Sequence, residues 1–294
     1  MQQATTRATL IGIVAVLSWA LLALMTAASG SVPPLQLTAM SFAIAFLIAL
    51  MIWIRRGQNP LRRLRHPPAV WLLGVTGLFG YHAMYFVALR NAPVVEASLI
   101  AYLWPLLIVL FSGLLPGEKL RLGHFVGGLL GFSGAALIIT GGAEGFQAQY
   151  LPGYALALAG SFTWAGYSVL SRKLGDTPTE AVTVFCIATA VLSGLAHVAF
   201  EDTVLPTTGI GWLSIAALGL GPVGLAFYVW DHGVKNGDIQ LLGVLSYAAP
   251  LLSTLVLVLF GIAGFTWALG SAALLIAGGA ALATRASLKD LGRR

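Results

Sequence analysis

Trp19, Trp104 and Trp164 each fall near the centre of an apolar run of the chain, whereas Trp53, Trp71, Trp212, Trp230 and Trp267 fall toward the ends of such runs. An indole at a membrane surface keeps its N–H wet, but one at mid-depth needs a partner that hydrocarbon cannot supply. Either the ring faces a polar cavity, or it packs between helices with its N–H on a neighbouring carbonyl. The cavity reading is preferred for Trp104 and Trp164 and stays level with packing for Trp19. Tyr81 and Tyr85 are four apart and share one helical face, with Gly74 and Gly77 below them and His82 beside them. Gly160, Trp164, Tyr167 and Ser171 share a face by the same spacing, and Tyr102 and Tyr247 occupy equivalent places in two further runs. These rings are candidates to hold a solute, against the alternative that they are packing.

Pro105 and Pro250 also lie mid-run. A helical proline removes one backbone hydrogen bond and displaces the carbonyl four residues back, here those of Ala101 and Ser246. Such carbonyls can take an ammonium group and such kinks can hinge; the alternative is a static kink. No Asp, Glu, Lys or Arg lies near the centre of any run. A proton-coupled cation pump wants a buried carboxylate, and a phosphate carrier wants buried Lys or Arg. Arg90, Glu96, Asp231, Lys235 and Asp238 lie toward run ends, where they are expected to be solvated or paired locally. An aromatic, nearly uncharged cavity favours neutral, zwitterionic or flat aromatic solutes, or a diffuse cation held on ring faces. Facilitated flow is therefore expected over proton coupling. His124 and His197 read as peripheral. Cys186 is the one cysteine, so neither an intrachain disulfide nor a cysteine metal site is available. No metal, nucleotide or catalytic-triad motif is present, and neither enzyme activity nor a cofactor is expected.

The elements that must carry these residues are membrane helices. Of 294 residues, 58% are hydrophobic and 9% charged, against about 25% charged in soluble domains. A span needs roughly 20 apolar residues, and ten can be placed: 8–30, 34–54, 69–89, 94–115, 121–141, 153–173, 178–200, 210–230, 239–261 and 265–284. The first is too long for a secretory signal core and reads as a mature helix. Fifteen Lys and Arg then fall on the side of the two termini, including Arg55, Arg56, Arg62, Arg63 and Arg65 in one link and Arg285, Lys289, Arg293 and Arg294 at the end. Only Arg90 falls on the other side. This asymmetry predicts cytoplasmic termini in a bacterial-type inner membrane. The basic blocks are topology signals, and no nucleic-acid partner is expected; the bilayer and a small solute are the partners, with one chain expected to suffice.

The two halves match at a constant offset of 145 residues: Ser18-Trp19-Ala20 with Thr163-Trp164-Ala165, Pro33 with Pro178, Arg90-Asn91 with Lys235-Asn236, Tyr102 with Tyr247, Pro105 with Pro250. Five spans per half is odd, so the second half enters the membrane inverted. Equivalent links agree: the one after the second span carries five arginines, the one after the seventh carries Glu201 and Asp202. The expected organisation is an all-α integral membrane fold, residues 1–148 and 149–294 forming two inverted five-helix repeats around a central cavity. Inverted repeats place a binding site between the halves and permit alternating access.

The chain resembles the drug/metabolite transporter superfamily in its ten-helix EamA-type branch, over nearly its whole length. The likeness rests on Ala8-Thr9-Leu10-Ile11-Gly12, Tyr102-Leu103-Trp104-Pro105, Trp164-Ala165 with Tyr167, and the stretch from Trp230 through Asn236-Gly237. Within that branch it is similar to the YddG-type aromatic amino-acid exporters. The resemblance implies a basket of ten helices exporting amino acids, with Trp104 and Trp164 on the substrate and Pro105 and Pro250 beside it. A multidrug or quaternary-cation efflux protein with the same aromatic box is the alternative.

Overall fold

The computed structural model describes residues 2–140, 147–174, 176–261 and 264–291; Arg293, Arg294 and residue 141 at the expected end of the fifth span fall outside them. Every regular element among these residues is helical. Nine helical stretches are long and apolar enough to cross a membrane: Gln3–Ala28, Pro34–Arg55, Pro68–Asn91, Val94–Ser112, Leu122–Thr140, Thr179–Phe200, Gly209–Asn236, Ile239–Leu259 and Trp267–Leu288. The tenth, Leu151–Lys173, is 23 residues long, about 35 Å at the usual helical rise, but more polar. The reason is its position. It packs against the third, fourth and eighth spans, and buries Ser161, Ser168 and Ser171 together with Trp164 and Tyr167. A helix with so much of its surface against protein needs less lipid-facing apolar surface, here supplied by the exposed Leu158, Phe162 and Leu170.

The helices pair across the two halves. The first packs on the eighth and the sixth on the third, while the second packs on the seventh and the fifth on the tenth. Each pairing is the repeat-equivalent of another or of itself, as inverted five-helix units require.

Local irregularities repeat too. The third span passes through a π-turn at Thr76–Gly80 and the eighth through one at Gly221–Leu225, 145 residues apart at both ends. The fourth span is broken between Val94–Ala101 and Trp104–Ser112, and the ninth between Ile239–Leu245 and Ala248–Leu259. Pro105 and Pro250 sit just past these breaks and cannot donate into the preceding turn. The first span breaks after Trp19, whereas the sixth runs unbroken through the equivalent Trp164.

Candidate functional site

Inward-facing rings from five spans surround a cavity of about 170 Å³. The first span contributes Trp19 and Leu22, the third Tyr81, His82 and Tyr85, and the fourth Ala101, Tyr102 and Trp104. Trp164 enters from the sixth span, Pro222, Val223 and Phe227 from the eighth, and Ala249 from the ninth. No lining residue carries a formal carboxylate, ammonium or guanidinium. The volume is below the roughly 300–1,000 Å³ of small-molecule sites, so a bound solute requires the rings to part.

The floor is a tryptophan cluster. Trp19 lies 6.0 Å from Trp104, 6.1 Å from Trp164 and 5.2 Å from Trp230, centroid to centroid, and Trp104 meets Trp164 edge to face at 6.2 Å. These are favourable aromatic separations. Phe227 lies 5.6 Å from Trp164, which stacks on Tyr167 at 5.2 Å. Trp230, expected near a membrane surface, is instead fully buried here. Its N–H donates to the Ser168 hydroxyl at 3.1 Å, which in turn donates to the Trp164 carbonyl at 3.0 Å.

Trp19 donates its indole N–H to the Pro222 carbonyl at 3.1 Å, within the π-turn of the eighth span, so a neighbouring carbonyl is its partner even though the ring borders the cavity. For Trp104 and Trp164 no N–H acceptor is found among the described residues, leaving two donors at the cavity floor. His82 Nδ1 lies 2.7 Å from the Leu78 carbonyl. A carbonyl only accepts, so Nδ1 carries the proton and Nε2 of the neutral ring is left as an acceptor. Tyr85 shares a 3.1 Å hydrogen bond with Ser98. The site thus offers ring faces, hydroxyls, indole donors and one imidazole lone pair.

Several expected residues lie elsewhere. Tyr167 is 2% exposed, beneath Trp164 and against Gly77, where an added Cβ would come 2.4 Å from its ring. Tyr247 is fully buried, and its hydroxyl accepts the Leu106 N–H at 3.1 Å. Pro105 and Pro250 are buried behind the lining. The Ser246 carbonyl is not free: it accepts from the Ala249 N–H at 3.1 Å, because the chain tightens at the break. Gly74 does not underlie Tyr81 but receives the Phe185 ring; the π-turn rotates residues past Thr76 off the preceding face. The spacing of aromatics in the sequence does not single out Phe227, and only Gly221-Pro222 marks the turn in the eighth span.

The cavity is closed toward the termini. Leu22, Tyr81, His82 and Tyr85, all at least partly exposed, lie in the halves of their spans away from the termini, and Trp164, Phe227 and Trp230 in the halves toward them. Beyond that floor Gly12 meets Gly233, where a Cβ on Gly233 would lie 2.6 Å from the Gly12 Cα. Arg172 donates to the Val234 and Gly237 carbonyls at 2.8 and 2.7 Å and pairs with Glu118. Asp231 and Lys235 form an ion pair at 2.8 Å, with side chains only 1% and 7% exposed. They are paired but not solvated, and Asp231 is a buried carboxylate. On the opposite face Arg90 pairs with Glu201 at 3.1 Å, and Glu201 accepts the backbone N–H groups of Leu35 and Gln36. Glu96 accepts from Tyr154, and Asp238 caps the ninth span through the Leu241 N–H at 2.9 Å. His124 and His197 lie outside the cavity, buried on Ser287 and on Glu201 and Thr203.

Ten spans in inverted halves, enclosing an uncharged aromatic cavity sealed at one end, define a small-molecule transporter of the membrane. Residues 6–140 and again 151–285 match the EamA-like transporter family, and the chain belongs to that family. It is 53% identical over 279 residues to the aromatic amino acid exporter YddG of Ancylobacter novellus, covering 94% of this chain and 96% of the relative. The aromatic amino acid exporter YddG of Escherichia coli K12 is 27% identical over 292 residues, covering 94% and 96%. A solved crystal structure, 52% identical, superposes with a TM-score of 0.90 over 98% of this chain and 99% of its own.

Proposed function

We propose that this protein exports aromatic and other neutral amino acids across the bacterial inner membrane by alternating access. The observation that carries the reading is the cavity itself: ring faces on most sides, no formal charge, and convergent donors at its floor. An aromatic side chain inserts against Trp104, Trp164 and Tyr81 as these rings part, gaining edge-to-face contacts. The α-ammonium is served by His82 Nε2 and by ring faces, which attract cations. The α-carboxylate is served by the indole N–H groups of Trp104 and Trp164 and by the Tyr81 and Tyr102 hydroxyls. The names of the two YddG relatives support the same cargo.

Residues 1–148 and 149–294 rock against one another about the cavity, with the breaks before Pro105 and Pro250 and the π-turns before Tyr81 and within the eighth span as the yielding points. The arginine-rich side is cytoplasmic, and the cavity seen here opens away from it. One chain is sufficient, and the Tyr167 and Tyr247 rings support the site from behind.

The test is a solute panel in proteoliposomes: labelled phenylalanine, threonine and methyl viologen. Saturable phenylalanine flux is the expected result. Flux of methyl viologen alone would assign the ring faces to quaternary cations and overturn the amino-acid reading.

A further inference from the structure

The lining described above contains no formal charge, yet the proposed cargo is a zwitterion that must leave water with two charges. We propose that the buried Asp231–Lys235 pair is a receiving subsite for the zwitterionic head group on the side of the termini, passed before the ring cluster. This rests on the amino-acid reading and deepens it.

The placement supports it first. Asp231 follows Trp230, which lies in the floor cluster 5.2 Å from Trp19 and 5.8 Å from Trp104. Lys235 lies one turn further toward the termini. Along the helix axis, a solute coming from that side passes the level of the pair before that of the rings. The bonding supports it second. Asp231 Oδ2 receives Lys235 Nζ and the Thr179 hydroxyl, both at 2.8 Å, whereas Oδ1 is buried without a hydrogen-bond partner. Lys235 also donates to the Thr177 carbonyl at 2.9 Å. A buried carboxylate with an unused oxygen is costly. An α-ammonium would satisfy it, while Lys235, released from Oδ2, would take the α-carboxylate. Binding replaces one intramolecular charge pair with two intermolecular ones, so little is lost when the pair parts.

The repeat supports it third. Lys235 is the equivalent of Arg90, 145 residues earlier, and Arg90 lies on the opposite face against the buried Glu201 carboxylate. Inversion therefore puts a cation–carboxylate pair at each mouth, with the uncharged cavity between. The titratable neighbours in the chain are His232, next to Asp231 on the same helix, and Glu180, next to Thr179 on the turn that opens the seventh span. The Tyr167 hydroxyl approaches from the sixth span, buried and without a hydrogen-bond partner.

The discriminating measurement is uptake into everted membrane vesicles, which present the termini side to the medium. Phenylalanine is compared with phenylalaninamide, which keeps the ring and ammonium but has no carboxylate. Lys235→Met is expected to raise KM for phenylalanine about tenfold, the loss of one charge-assisted contact, and to leave the amide within twofold. Because Lys235→Met strands Asp231, the paired neutral variant Asp231→Asn/Lys235→Met serves as the folding-safe control. It is expected to lose the same preference for acid over amide while keeping detergent-solubilised monodispersity. Equal KM rises for acid and amide would mean the pair only latches the helices, and would overturn the proposal. Unchanged KM for both would do the same. Absence of phenylalanine flux in the unsubstituted protein would instead sink the exporter reading, and this subsite with it.

Discussion

The Tyr247 hydroxyl accepts the backbone N–H of Leu106 at 3.1 Å, so the ninth span repairs the break in the fourth. Its repeat partner Tyr102 makes no such bond among the described residues and borders the cavity instead. One tyrosine of the pair holds backbone and the other lines the cavity. Tyr247→Phe orphans the Leu106 N–H and is expected to cost about 1–3 kcal/mol, read as a lower melting temperature in detergent. Tyr102→Phe is expected to leave melting unchanged and to raise KM.

Trp164 touches six other aromatic rings, so its truncation both opens the floor and loosens packing. Trp164→Ala is expected to cost about 3–5 kcal/mol and to abolish flux; Trp104→Ala is expected to cut flux with a smaller loss of stability. Both should still insert. Wild-type phenylalanine flux in both variants would remove these rings from the site.

His82→Phe keeps an aromatic ring against Phe42, 5.5 Å away, but deletes the Nε2 acceptor and the bond to the Leu78 carbonyl. Phenylalanine KM is expected to rise about tenfold with maximal rate nearly kept. A solute lacking the ammonium, such as phenylpropionate, should not distinguish the variant from the parent protein.

Gly77→Ala places a methyl group 2.4 Å from the Tyr167 ring. Tyr167 must move, and Trp164 stacked on it moves too. Flux is expected to fall at least tenfold, about 1.4 kcal/mol of transition-state stabilisation, in a protein that still runs as a single species on gel filtration.

Glu201→Gln tests the opposite face. The carboxylate, 2% exposed, caps the second span and holds Arg90. Removing its charge from a helix N-terminus is expected to cost about 1–2 kcal/mol, seen as a drop of a few degrees in melting temperature.

The ten spans, their approximate ends and the 145-residue repeat were legible in the chain alone. Those features are local or periodic: a membrane span is a run of apolar residues, and repeated prolines and aromatics keep their spacing however the helices pack. The sequence also singles out Trp19, Trp104, Trp164, Tyr81, His82, Tyr85, Ala101 and Tyr102, all of which border the cavity. The face taken by each remaining aromatic emerged from helix packing. Trp230 looks interfacial by its place in the chain and lies in the central cluster because the eighth span packs on the first. Tyr167 shares a helix face with Trp164 by spacing, yet the third-span glycine lets the two helices close over it. Asp231 is near a span end in sequence and nearly sealed in space. Rotation of one helix against another is set by side chains more than a hundred residues apart, and no periodicity within a single segment encodes it.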